Sequence, residues 1–419
     1  IAATRVAPAL ALELWGDRPV AGVAIEHVFG LDAIRARVPL AQLAPVARPG
    51  APHPDVVLVT IDTVRADHTP PYGGAAEMPA LTGLAGRGVV FEWAFAPSNV
   101  TRRSVPSIAT GLDPVRVRGR VVGWALRLDP RHVVIAERLA AAGYATAGFM
   151  CCGGFWGEDF HTGLERGLAH LEIEPHGDTL AHHAADWLAA RERAGDPRPL
   201  FLWMHLIEPH NWTQVTGAPR SEADRTAFYD RALAAADRAL GVLVDALDRR
   251  ARRAIVIVSA DHGEALGEHG QPYHSTDLYN AQLRVPLVIA GPGIASGRVR
   301  EVASLTDLPP TILELAGLAA PGAVFDGRSL AALATGARAD DPEAGTAFAA
   351  MIKDRSNPGG LTAIVRGPWK LIDAAGRREL YDLRADPGER TDVLGQHAEV
   401  AAALERLLAG RRRWRTTTS

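Results

Sequence analysis

Cysteine is nearly absent: the 419 residues hold 2, and they are neighbours, Cys151 and Cys152 in "GFMCCGGFWG". Adjacent cysteines rarely bond each other without backbone strain, and no second pair exists for a disulfide framework or a cysteine zinc site. Two buried, apolar thiols are expected. An excess of one charge is missing too. The 45 Lys and Arg are interspersed among 48 Asp and Glu, for a net charge of −3. That leaves no basic face to follow a duplex, so nucleic acid is not an expected partner. No apolar run reaches the roughly 18 residues of a membrane helix. The chain begins with Ile, which leaves a leader or anchor upstream open. Membrane attachment is expected only through a segment outside this sequence.

The remaining composition is that of a folded protein, with 47% hydrophobic and 22% charged residues. Residues 1–54 read as an extension and linker, ending in "ARPGAPHP". From Asp55 the texture changes. "DVVLVTID", "RPLFLWMHLIEPH", "RRAIVIVSADHG" and "VPLVIAGPG" are continuous apolar runs, the pattern of strands buried on both faces of a parallel sheet. Between them lie amphipathic helices, "TLAHHAADWLAARERAG" and "TAFYDRALAAADRALGVLVDALDRRA". Alternating strands and helices predict an α/β domain over 55–335, with a mostly parallel sheet covered on both faces. Residues 336–419 read as a small C-terminal α+β subdomain. Its antiparallel strands lie in "TAIVRGPWKLID" and "RRELYDLRAD", and its helix in "HAEVAAALERLLAGRRRW".

Two of the strands end in metal-ligating residues: Asp62 closes the first, and Asp261 with His262 closes the third. Sites in open α/β sheets gather at the carboxyl ends of strands. Two carboxylates and an imidazole brought together there suit one divalent cation. "SNVTRRSVPSIATGL" adds Thr101, just ahead of a helix that Pro106 forces to begin near Thr101–Ser104. Hydroxyls and free N–H groups at a helix start attract an anion, and Arg102 and Arg103 add positive charge. Alone, this stretch leaves Thr101 either a helix cap or a nucleophile. His210 and His274, each in a loop after a strand, are placed to protonate a leaving group or bind an ester oxygen. His205 reads as a core histidine. Glu264, Glu268 and His269 in "GEALGEHG" read as loop structure.

These pieces, in this order, resemble the sulfatase branch of the alkaline-phosphatase superfamily. "VVLVTIDTVRADH", "SNVTRRSVPSIATGLDP", "LFLWMHLIEPH", "VIVSADHGEALGEHG", "LYNAQLRVPLVIAGPG" and "RELYDLRADPGER" carry the resemblance over roughly residues 55–395. It implies an alkaline-phosphatase-like α/β/α sandwich. It also implies Asp62, Asp261 and His262 as metal ligands, with Thr101 as nucleophile and a further ligand. His210 and His274 would then stand around the ester, with Arg102 and Arg103 binding substrate. The cofactor would be one divalent cation (Ca, Mn, Mg or Zn).

The departures are specific. Sulfatases carry Cys or Ser where Thr101 stands and convert it to formylglycine, an aldehyde that Thr cannot yield. Arg103 and Val105 replace the Pro and Arg of that motif, Thr63 replaces a second Asp, and "GYATAGFMCCGG" lacks the Lys and His of the second signature. Thr nucleophiles occur in relatives that act on phosphorus, such as nucleotide pyrophosphatase-like phosphodiesterases and phosphoethanolamine transferases. The resemblance therefore implies an extracytoplasmic hydrolase or transferase of a phosphate or sulfate ester, on a small-molecule, glycan or lipid substrate. The rival expectation is a non-catalytic binding or structural protein on the same fold.

Overall fold

The computed structural model describes residues 53–156, 161–213, 221–352, 360–374 and 376–413, with short strands at 23–27, 34–38 and 46–47. The rest of the N-terminal extension and the last six residues of the basic tail lie outside the described residues.

Eight strands form the central sheet: β1 (Asp55–Ile61), β2 (Gly88–Phe91), β3 (Ala145–Met150), β4 (His170–Ile173), β5 (Leu200–Leu206), β6 (Ala254–Ala260), β7 (Leu287–Ala290) and β8 (Gly297–Val299). Their order is β4-β3-β5-β1-β6-β7-β2-β8. The first five run parallel, while β7 is antiparallel to both β6 and β2. β1, β5 and β6 are buried along their whole lengths, as their unbroken apolar runs require. β1 pairs with β5 on one side and β6 on the other, Ile61 lying opposite Leu206 and Ala260. Asp62, Asp261 and the end of the β5 strand therefore emerge side by side.

Helix α1 (Thr101–Thr110) starts beside these strand ends, and α2 (Gly177–Arg193) and α3 (Glu222–Asp248) pack on each other. Pro106 does not occupy the first turn as expected, but the sixth position of α1. Its ring removes only the N–H that would bond Arg102 C=O, so the helix still begins at Thr101. At the other end Gly111 (φ 72°) closes α1 in the left-handed region.

The C-terminal sheet has strands β9 (Ala347–Met351), β10 (Leu361–Arg366), β11 (Trp369–Ala374) and β12 (Arg377–Asp382), all antiparallel, under helix α4 (Ala398–Arg413). Phe348, Ile364, Leu371, Leu380, Leu404 and Leu408 give it a small core of its own. A buried ion pair within it grips Asn280 of the larger unit. Lys370 Nζ lies 2.6 Å from Glu389 Oε1 and 3.0 Å from Asn280 Oδ1, with both charged side chains nearly inaccessible. Lys370→Ala would leave the Glu389 carboxylate buried without its cation, at a cost of about 3 kcal/mol. A lower urea midpoint for Lys370→Ala than for Lys370→Met with Glu389→Gln is the expected result.

Candidate active site

Thr101 is not a cap. The N-cap position is Val100, whose side chain makes no cap bond, and Thr101 is the first helical residue. Its hydroxyl turns away from the helix: Oγ1 lies 3.1 Å from His262 Nε2 and 3.5 Å from Asp62 Oδ2. Ser104, one turn on, donates to the carbonyl of Asp261 and pins the start of α1 to the end of β6. Arg102 and Arg103 follow Thr101 in the first turn and are half-buried.

Below the hydroxyl lie the candidate ligands. His262 Nε2 is 3.6 Å from both Asp62 Oδ1 and Asp261 Oδ2. Its Nδ1 is 2.9 Å from Gly263 O. Donation to that carbonyl fixes the tautomer and turns the Nε2 lone pair toward Thr101. His205, read from the sequence as a core histidine, belongs here as well. Asp62, His205 and Asp261 each offer a ligand atom, all within 4.8 Å of one another. The sheet explains this: His205 is the penultimate residue of β5, and its Nδ1 is fixed 2.7 Å from Thr60 Oγ1 on β1.

A divalent cation fits this donor set. Asp62 Oδ1, Asp261 Oδ2 and His205 Nε2 are all buried and have no hydrogen-bond partner. Three orphaned polar atoms in one place are costly unless something satisfies them together. The charges agree. Burial, followed by the charge of Asp261, holds the Asp62 carboxyl well above the usual range. Burial likewise pushes His205 down to about 4 and His262 well below its ordinary value, so both imidazoles are in the neutral, ligating form.

His210 and His274 lie side by side next to the ligand candidates, with ring centroids 5.1 Å apart, and His274 lies 4.8 Å from the ring of His262. Glu264, expected to serve only as loop structure, is buried and sits 3.1 Å from His274 Nδ1. Burial opposes a charge on His274, but the hydrogen bond to Glu264 outweighs it and raises the imidazole. His210 has no such partner; burial and then the neighbouring His274 lower it. One histidine is thus biased toward the acid and the other toward the base. Glu264→Gln is expected to lower kcat by about tenfold to a hundredfold with little change in thermal stability, a split that steady-state kinetics and a melting curve check.

The chain is similar to known proteins. The sulfatase family profile covers residues 54–318, and that of the N-sulphoglucosamine sulphohydrolase C-terminal region covers residues 267–413. The chain belongs to the sulfatase family. Among curated proteins, it is 34% identical over 255 residues to arylsulfatase K of Mus musculus, covering 56% of this chain and 45% of that one. It is 34% identical over 162 residues to the choline-sulfatase of Rhizobium meliloti (strain 1021), covering 38% and 30%. The chain spans less than half the length of these relatives.

Solved structures share the fold. A 2-O GAG sulfatase superimposes with a TM-score of 0.72 at 19% identity, covering 87% of this chain and 93% of that one. The phosphonate monoester hydrolase of Agrobacterium radiobacter gives 0.67 at 21%, covering 86% and 96%.

Proposed function

We propose that the protein is a metal-dependent hydrolase or transferase of a phosphate or sulfate ester, with Thr101 as its nucleophile. One observation carries this reading: the Thr101 hydroxyl stands at a helix N-terminus, 3.1 Å from His262 Nε2 and 3.5 Å from Asp62 Oδ2, beside carboxylates that leave buried oxygens unpartnered.

The residues divide the work. Asp62, Asp261, His262 and Thr101, joined by His205, would hold one divalent cation (Ca, Mn, Mg or Zn). Bound there, it would lower the pKa of the hydroxyl and neutralise the ester oxygens. Free N–H groups at the start of α1, with Arg102 and Arg103 beside them, attract the anionic group. His274, held by Glu264, protonates the departing alcohol, and His210 positions the ester oxygens. A Thr ester is discharged by attack of water or another hydroxyl at phosphorus or sulfur. Phosphate is the better substrate on this account, since no aldehyde is available to release sulfate by elimination.

Half-exposed Tyr273 adjoins His274 in the chain and lies beside Trp212, with ring centroids 6.3 Å apart. Such aromatic faces favour a ring-shaped alcohol, in keeping with a small-molecule or glycan ester. The catalytic unit spans residues 55–335 and the C-terminal unit residues 336–419. An extracytoplasmic setting accords with the family; no helix among the described residues is long and apolar enough to cross a membrane.

The test presents one chromogenic alcohol as sulfate monoester, phosphate monoester and phosphate diester, with each of the four metals. Phosphate turnover supports the reading. Sulfate turnover alone overturns the argument from the nucleophile, and no turnover with no metal uptake returns the protein to a non-catalytic role.

A further inference from the structure

The two cysteines are not both the inert buried thiols that the sequence leads one to expect. Cys151 is fully buried, but Cys152 is half-buried, and their sulfurs lie 2.7 Å apart. Cys152 also sits at φ 57°, in a region that a non-glycine residue enters only when its surroundings hold it there. The pair follows directly on β3, and Cys151 N donates to His205 O at 2.9 Å. Cys152 lies within electrostatic reach of the Asp62 carboxylate. A strained, preassembled dithiol therefore forms part of the wall around the proposed ligands, and the hydrolytic mechanism uses neither sulfur.

We propose that Cys151 and Cys152 are a redox modification site that closes into a vicinal disulfide under peroxide and alters the active site beside it. Cys152, the accessible thiol, attacks the O–O bond. Its sulfur becomes a sulfenic acid, and one water leaves. The Cys151 sulfur then displaces the sulfenic oxygen, forming the S–S bond and releasing a second water. Overall, two thiols and one hydrogen peroxide give one disulfide and two waters, the two electrons passing from sulfur to oxygen. A dithiol reductant reverses it by exchange. Closure draws the sulfurs to about 2.05 Å and redirects the peptide that donates to His205 O.

The experiment treats the full, reduced chain with equimolar hydrogen peroxide, then alkylates it under denaturing conditions and weighs the peptide containing both cysteines. The expected peptide is about 2 Da lighter than the reduced one, resists alkylation until dithiothreitol is added, and does not form in Cys152→Ser. Two alkylated thiols, a sulfinate on Cys152 or a disulfide joining two chains would each overturn the proposal. The second readout rests on the proposed hydrolysis: turnover falls roughly tenfold on closure and returns with dithiothreitol, while Cys152→Ser ignores peroxide. Should no ester be hydrolysed, the cation-induced thermal shift takes the place of turnover, and the thiol count stands apart from both. Disulfide formation that leaves these readouts unchanged overturns the switch.

Discussion

Thr101→Ala should lower ester turnover by about four orders of magnitude while leaving the melting temperature within a degree or so of the parent. Removing a hydroxyl at the first position of α1 costs the helix little, because Val100 rather than Thr101 holds the cap position. The loss must then come from chemistry. Thr101→Ser keeps a hydroxyl over the same ligands and should retain turnover within about a hundredfold. Burst kinetics with the phosphate diester should show one equivalent of alcohol released per protein, with the phosphoryl group recovered on the peptide containing Thr101. If Thr101→Ala turned over at the parental rate, the hydroxyl would be a bystander and His262 would be acting on water. If activity in Thr101→Ser fell as far as in Thr101→Ala, the methyl group of Thr would be what positions the site.

The candidate metal ligands read from the sequence share one property: they sit where a buried strand stops. Asp62, Asp261 and His262 end runs of Val, Ile and Leu, and register alone carries them to the carboxyl end of two neighbouring central strands. His205 read as a core histidine because it lies one residue before the end of "LFLWMHL", a strand whose every side chain is buried. In a strand covered on both faces, alternation gives no sign of which buried histidine faces a ligand and which a core. Only the pairing of His205 with Thr60 reveals its direction. Glu264 was hidden differently. "GEALGEHG" has the glycine content of a surface loop, yet the chain folds inward and leaves the Glu264 carboxylate 1% exposed against His274. Pro106 misled because the rule that restricts proline to the first turn reflects a cost rather than a prohibition. The rest of α1, buried and bonded to Asp261 through Ser104, covers that cost.

Divalent cations should raise the melting temperature of the parent protein, and the largest effect belongs to the native metal. A cation present at a hundred times its dissociation constant adds about 2.7 kcal/mol, a shift of several degrees. Asp261→Asn should behave in the opposite way in two respects. Without metal it should melt higher than the parent, because it removes one of two buried carboxylates, Asp261 and Asp62, whose charges oppose each other. With metal it should gain almost nothing, because a neutral amide is a poor substitute for a carboxylate ligand. A protein in which these residues serve only the fold would lose stability on Asp261→Asn whether or not metal is present. His205→Ala then separates the two imidazoles. If His205 is a ligand, the cation shift shrinks while the Thr101–His262 contact survives; an undiminished shift assigns the nitrogen ligand to His262 alone. Differential scanning fluorimetry with calcium, manganese, magnesium and zinc reads all of these outcomes without an identified substrate, so the metal site can be decided independently of the ester.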